Sequence, residues 1–234
     1  MSGARLVIPV SCFVTGTDTG VGKSRVASAL LHAWAQQGRR AAGFKPVAAG
    51  AQLHDGVWIN EDVEALRAAG SVPLDGASVC PYLLADAVAP HIAAERAGVV
   101  LEWPPIARAY AALQAQADVI VVEGAGGFRV PLGPAWDTAD LAQRLALPVV
   151  LVVGLRLGCL NHAVLTAEAV AARGLRLAGW VGNTIDPAMP ERERNLASLA
   201  DLLAAPCLGV LPWMPDGAAE AAAAHLDLSL LMPS

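Results

Sequence analysis

Nine consecutive residues, Gly16-Thr17-Asp18-Thr19-Gly20-Val21-Gly22-Lys23-Ser24, carry the plainest chemistry in the chain. Their glycines let backbone N–H groups point at phosphate oxygens. Lys23 can reach terminal phosphates, and the Ser24 hydroxyl suits Mg²⁺. A helix start directly behind the loop adds positive potential. The first glycine of the usual pattern falls at Thr17, and Gly16 stands one residue early, so the loop is a variant. The bland alternative is a Gly-rich turn with no ligand. Strand, loop, Gly-Lys-Ser and helix in that order favour a nucleotide.

A phosphate loop needs carboxylates to share the metal. Glu123 directly follows the β-branched run Val119–Val122, which puts it at the edge of the sheet where ligands bind in open α/β folds. Gly124-Ala125-Gly126-Gly127 then allows close backbone approach. Asp62 follows Asn60-Glu61 near a helix start, where acidic residues also occur for helix-dipole reasons alone. Spacing leaves its role open. Lys45, in Gly43-Phe44-Lys45-Pro46-Val47, ends a second strand on the same edge. Alone it would read as a surface lysine. Beside a phosphate loop it can stabilise charge on a transferring phosphoryl group.

These side chains require a scaffold. Apolar runs predict strands at residues 10–15, 41–45, 119–122, 149–153, 178–181 and 207–210. Helices are predicted over 22–37, closed by Gly38, over 60–69 with Asn60 as cap, and over 105–117, 138–146, 160–173 and 191–204. A short helix fits 218–224. The stretches 50–57 and 71–90 read as loop and irregular chain. Alternating strands and helices, with strands apolar on both faces, predict an α/β, P-loop NTPase-like fold: a mostly parallel sheet with helices on both faces. No linker or repeat divides the chain, so residues 1–234 read as a single domain.

Composition narrows the functional classes. The 234 residues are 55% hydrophobic and 16% charged, with a net charge of −5. A nucleic-acid scaffold is disfavoured. Cys12, Cys80, Cys159 and Cys207 are scattered, with no metal-ligand or disulfide pattern. Mean hydropathy is positive, yet the longest apolar run, Leu145 to Leu155, is interrupted by Pro148 and Gly154. A spanning helix needs roughly 20 apolar residues, so no membrane partner is expected. No cleavable signal stands out, and a cytoplasmic location is the default expectation. His91 and His162 read as structural histidines, and Cys159 as packing.

Six segments, taken together and in order, are more specific than any one. GTDTGVGKS (16–24), GFKPVAAG (43–50), VEGAGGFRVPL (122–132), GLRLGCLNHAVLTAEAV (154–170), AGWVGNTIDP (178–187) and LGVLPWMP (208–215) resemble the dethiobiotin synthetase family. The resemblance implies a reaction. CO₂ or bicarbonate supplies the carbon that converts an amine of 7,8-diaminononanoate to a carbamate. ATP phosphorylates the carbamate, and the second amine closes a ureido ring and expels phosphate. It also implies residue roles. Gly20, Val21, Gly22, Lys23, Ser24 and Arg25 would contact the phosphates of ATP. Ser24, Asp62 and Glu123 would hold Mg²⁺. Gly124, Ala125 and Gly126 would give backbone contacts. Lys45 would be catalytic, with Lys23 beside it. Asn183 and Thr184 would read the adenine edge, and Pro212, Trp213 and Met214 would flank the base. Thr19 and Ala49 would face the substrate. Gly158, Cys159, Leu160 and Asn161 would receive its carboxylate from the neighbouring subunit of a homodimer. Two departures stand out. Ala49 replaces a frequent hydroxyl residue, leaving only backbone groups there. Gly20 replaces an acidic residue of some members.

Two other classes fit less well. An ATP-switched partitioning ATPase would carry a further lysine early in the loop, and none precedes Gly22 there. An amidotransferase-type synthetase acting on a corrin precursor would bring a long glutaminase domain, for which this length leaves no room.

Overall fold

The computed structural model describes residues 11–215 and 218–231. Along the chain run β1 (Cys12–Gly16), α1 (Lys23–Gln36), β2 (Ala41–Phe44), β3 (Val47–Ala49), β4 (Gln52–His54), β5 (Val57–Ile59), α2 (Glu61–Ala69), α3 (Gly76–Val79) and β6 (Tyr82–Leu84). They are followed by α4 (Pro90–Arg96), α5 (Trp103–Gln114), β7 (Val119–Glu123), β8 (Pro131–Gly133), β9 (Trp136–Asp137) and α6 (Thr138–Leu145). The last elements are β10 (Val149–Leu155), α7 (Cys159–Ala172), β11 (Leu177–Thr184), α8 (Arg192–Leu202), β12 (Cys207–Leu211), α9 (Ala219–Ala223) and a short 3-10 helix (Leu228–Leu231).

Six strands form the central sheet in the order β12-β11-β10-β1-β7-β2. Every pairing in it is parallel. Parallel strands are covered on both faces, which is why β1, β7 and β10 are buried along their whole length. On one face, Cys12 and Val14 pack with α1, α2 and α9. On the other, Phe13 and Ile120 pack with α5 and α6, and Leu151 and Val153 with α7 and α8. β1 lies at the point where chain order diverges to the two sides of the sheet. Open α/β sheets bind ligands at the carboxyl end of such a strand.

Two stretches differ from the sequence expectation. Residues 52–59 form an antiparallel hairpin of β4 and β5 rather than a loop. Its turn is Asp55-Gly56, both with positive φ, the geometry of a two-residue hairpin connection. Residues 71–90 contain α3 and β6, and β6 pairs in parallel with β3. One glycine brings the site together. A Cβ at Gly43 would lie 2.7 Å from Leu66 Cβ, so only glycine lets α2 seat this closely on β2. That contact carries Asp62, one turn earlier in α2, to the sheet edge.

Candidate active site

The phosphate loop leaves β1 and enters α1 through Gly22, whose φ of 91° lies in the left-handed region. Lys23 is buried and its Nζ donates to the carbonyl of Asp18 at 3.0 Å. Ser24 opens the first turn of α1. Its Oγ lies 2.5 Å from Asp62 Oδ1 and 2.9 Å from Glu123 Oε1. Lys45, just beyond β2, is 3% exposed. Its Nζ donates to Asp62 Oδ2 at 2.9 Å and to Glu123 Oε1 at 2.5 Å. Residues distant in sequence therefore converge on one cluster of two cations, two carboxylates and a hydroxyl.

The electrostatics follow from burial. Burial pushes the Lys23 ammonium down to about 8, and Lys45 adds to the shift, against the pull of Glu123 and Asp62. Burial also penalises the charge on Lys45. Here Glu123 and Asp62 outweigh it and hold the ammonium above its ordinary value. Burial raises the Glu123 carboxyl, and Lys45 offsets only part of that. Asp62 is also penalised by burial, but Lys45 and Ser24 bring it below the usual carboxylate range.

Lys23 gives a pH test. Its ordinary value is 10.5 and its folded value about 8, so the unfolded chain binds more protons between these limits. Stability from this group therefore rises with pH across that window. A polyphosphate beside Lys23 favours the charged form, so nucleotide binding above about pH 8 is expected to take up a proton, approaching one per site. Nucleotide affinity is expected to fall correspondingly, by up to about tenfold per pH unit. Calorimetry in buffers of differing ionisation enthalpy measures the uptake. No uptake near about pH 9 would mean that Lys23 is already charged in the free protein.

The Ser24, Asp62 and Glu123 oxygens fit Mg²⁺, a hard cation that takes one or two carboxylates and completes its shell with phosphates and water. Glu123 Oε2 is buried without a hydrogen-bond partner, as expected of an atom reserved for a ligand. Among the described residues no group of three or more His, Cys, Asp or Glu gathers as a metal cluster.

The remaining sequence candidates fall in three places. Asn183 lies at the end of β11 against the loop, and its Nδ2 donates to the Val21 carbonyl at 2.8 Å. Its Oδ1 and the Thr184 hydroxyl are buried without partners. Pro212, Trp213 and Met214 follow β12. Trp213 is 49% exposed, so it does not fill the core, while Met214 packs partly against it. Arg25 Nη2 reaches the Pro215 carbonyl at 3.5 Å, tying this segment to α1. Gly158 caps the start of α7, Cys159 is buried and Asn161 exposed, with Leu160 between them and partly buried. Thr19 is exposed on the loop, and Ala49 ends β3. Gly124 N–H donates to Val14 O at 3.0 Å, which fixes the 124–127 turn beside β1. One contact was not foreseen: Arg156 Nη2 pairs with Asp18 Oδ2 at 2.6 Å, joining the phosphate loop to the segment before α7. The two lie 138 residues apart in the chain, and no local pattern marks the pair. His91 Nδ1 is buried without a partner, so it lacks at that atom the bond expected of a structural histidine.

A parallel sheet with a phosphate loop at its central strand, facing a strand-end carboxylate, defines a P-loop NTPase. MinD of Aquifex aeolicus has the same fold, with a TM-score of 0.56 and 16% identity over 91% of this chain and 86% of that one. The MinC:MinD complex of the same organism aligns at a TM-score of 0.55, also with 16% identity, covering 88% of this chain and 82% of that one. Such identities speak to fold alone. A family model described as an AAA domain matches residues 11–221. The ATP-dependent dethiobiotin synthetase BioD of Ralstonia nicotianae is 56% identical over 94% of this chain and 96% of its own. The ATP-dependent dethiobiotin synthetase BioD of a Janthinobacterium species is 55% identical over 94% and 95%. The chain belongs to the ATP-dependent dethiobiotin synthetase family, and as a member it is an ATP-dependent ligase. Among the described residues no helix is long and apolar enough to cross a membrane.

Proposed function

We propose that this chain closes the ureido ring of dethiobiotin from 7,8-diaminononanoate, CO₂ and ATP, as a cytoplasmic homodimer whose subunits each form one domain. The observation that carries the reading is the placement of Lys45, buried between Glu123 and Asp62 and one side chain from Ser24 of the phosphate loop. The reaction must bring two anions together, a carbamate and the γ-phosphate. Cations between them in a partly dehydrated site lower that repulsion.

The backbone of Gly20, Val21 and Gly22, together with Lys23 and Arg25, holds the phosphates of ATP. Asn183 Oδ1 and Thr184 meet the base, with Pro212, Trp213 and Met214 beside it. Ser24, Asp62 and Glu123 would hold Mg²⁺, which would supply charge to offset that of the phosphates. An amine nitrogen of the substrate attacks CO₂ and loses a proton, giving a carbamate near Thr19, Ala49 and the Gly124–Gly126 turn. A carbamate oxygen then attacks the γ-phosphorus and ADP leaves. The second amine attacks the carbonyl carbon, loses a proton and expels phosphate. Lys45 stabilises charge on the carbamate and on the transferring phosphoryl group, and Lys23 does so on the leaving side. Positioning does most of the rest. The substrate carboxylate sits at the start of α7 in the partner subunit, where Gly158 to Asn161 form the positive helix end.

The sequence of bonds makes an isotope prediction. The carbamate oxygen that attacks phosphorus leaves with it. With ¹⁸O-labelled CO₂, kept from exchange by rapid mixing, one label per turnover is expected in inorganic phosphate. Labelled product with unlabelled phosphate would exclude the carbamic-phosphoric anhydride.

A further inference from the structure

Asn60 does two jobs with one side chain. As the cap of α2, its Oδ1 accepts from the N–H groups of Asp62 at 3.1 Å and Val63 at 3.3 Å. Its Nδ2 donates to the carbonyl of Ala49 at 3.2 Å. The side chain is buried and lines a cleft of about 290 Å³ with Gly50, His54, Glu61 and Asp62. Between Ala49 and Asn60 the chain makes the β4–β5 excursion, which exposes Leu53, Val57 and Trp58. Asn60 closes the base of that excursion. It joins the strand running on from Lys45 to the helix turn that presents Asp62, independently of where the hairpin goes.

The geometry points to Asn60 as a positioning residue that fixes the Ala49 carbonyl relative to Asp62, and so sets the substrate side of the site against the metal side. The inference rests on the functional reading above, in which Ala49 faces the diamine. Ala49 has no side-chain polar group, so its carbonyl is what a substrate amine can meet; its peptide plane is held from one side by the Gly50 N–H donating to Asp86 O at 3.1 Å and from the other by Asn60, which alone ties it to the Asp62 turn. The requirement is particular to asparagine. Serine and aspartate cap helices comparably well, but neither offers an amide N–H to the Ala49 carbonyl. Aspartate would place a carboxylate oxygen against it.

Two variants separate the two jobs. Asn60→Ser keeps a cap and loses the tie to Ala49. Asn60→Asp keeps the cap and replaces the tie with repulsion. Thermal midpoints and calorimetric Kd values are measured for 7,8-diaminononanoate and for Mg-ATP, with Asn60→Ala as the variant that loses both jobs. Asn60→Ser is expected to melt within about 2 °C of the wild type, since its cap is preserved, and Asn60→Asp to melt lower, since it sets a carboxylate oxygen against the Ala49 carbonyl at a buried position. In Asn60→Ser the diamine Kd is expected to rise about tenfold, the scale of one lost hydrogen bond. It is expected to rise further in Asn60→Asp. The Mg-ATP Kd is expected to stay within about twofold in both, because the capped turn still presents Asp62. Unchanged diamine affinity in Asn60→Ser would reduce Asn60 to a cap. Equal weakening of diamine and Mg-ATP would indicate general loosening, and it too would overturn the inference. Wild-type protein that binds Mg-ATP but no diamine would overturn the functional reading, and the inference with it.

Discussion

Lys45→Met is expected to lower ring-forming turnover by at least about a thousandfold, the upper range for removing one preorganised group that stabilises transition-state charge. The same change removes the only cation within hydrogen-bond reach of Glu123, whose side chain is fully buried among the described residues. Deleting one partner of a buried pair costs about 3–5 kcal/mol, because the other charge is left uncompensated. Burial already raises the Glu123 carboxyl, so in the variant it is expected to take up a proton rather than stay charged. Lost activity could then reflect lost fold. Denaturant titration of the single variant separates the two, and the double variant Lys45→Met, Glu123→Gln, which also gives up a carboxylate of the Mg²⁺ site, tests where any stability deficit comes from. With both charges gone, its stability by denaturant titration is expected to recover most of the deficit, while its turnover stays at the background of the single variant. A double variant that regains turnover would remove Lys45 from the chemistry.

Gly22→Ala is expected to weaken ATP binding by about a hundredfold or more. Two costs combine. Gly22 has φ of 91°, and an alanine held in the left-handed region costs about 1–2 kcal/mol. Its Cβ would also lie 2.2 Å from Asn183 Nδ2, which donates to Val21 O. Moving Asn183 breaks that bond inside a buried site, at a further cost of about 1–3 kcal/mol. Every 1.4 kcal/mol is about tenfold in Kd. Gly20→Ala is the control. Gly20 also has positive φ, at 73°, but nothing lies within 4 Å of its added Cβ. It bears the strain without the collision, and a loss of roughly tenfold is expected. Equal calorimetric Kd values for the two variants would show that Asn183 does not brace the loop.

Much of this architecture could be read from local patterns. The strands of the central sheet are apolar runs, because a parallel sheet buries both faces, and their order along the chain with the helices fixed the fold class. Ser24, Lys45, Asp62 and Glu123 were each marked by a local context: a loop motif, a strand end, a capped helix start. What no local context revealed was their distance from one another. Lys45 meets Glu123 across 78 residues of chain, and only the seating of α2 on Gly43 brings Asp62 to both. The parallel pair β3–β6 was missed because its three-residue strands carry no periodicity. The β4–β5 hairpin was missed for a different reason. Its strands are three residues each and largely exposed, too short for an alternation to show, yet the Asp55-Gly56 turn signal was present. The second hydrogen bond of Asn60 was invisible for the same reason as the Lys45 cluster, since capping is local and the Ala49 contact is not.

The central claim is that this site makes a cyclic urea. The most direct test incubates the purified protein with 7,8-diaminononanoate, ¹³C-bicarbonate, ATP and Mg²⁺ and examines the product by mass spectrometry. The account expects dethiobiotin carrying one ¹³C in its ureido carbon, with one ADP released per ring closed. ATP hydrolysis with no labelled ring would contradict it, and would leave a phosphate loop serving some other reaction.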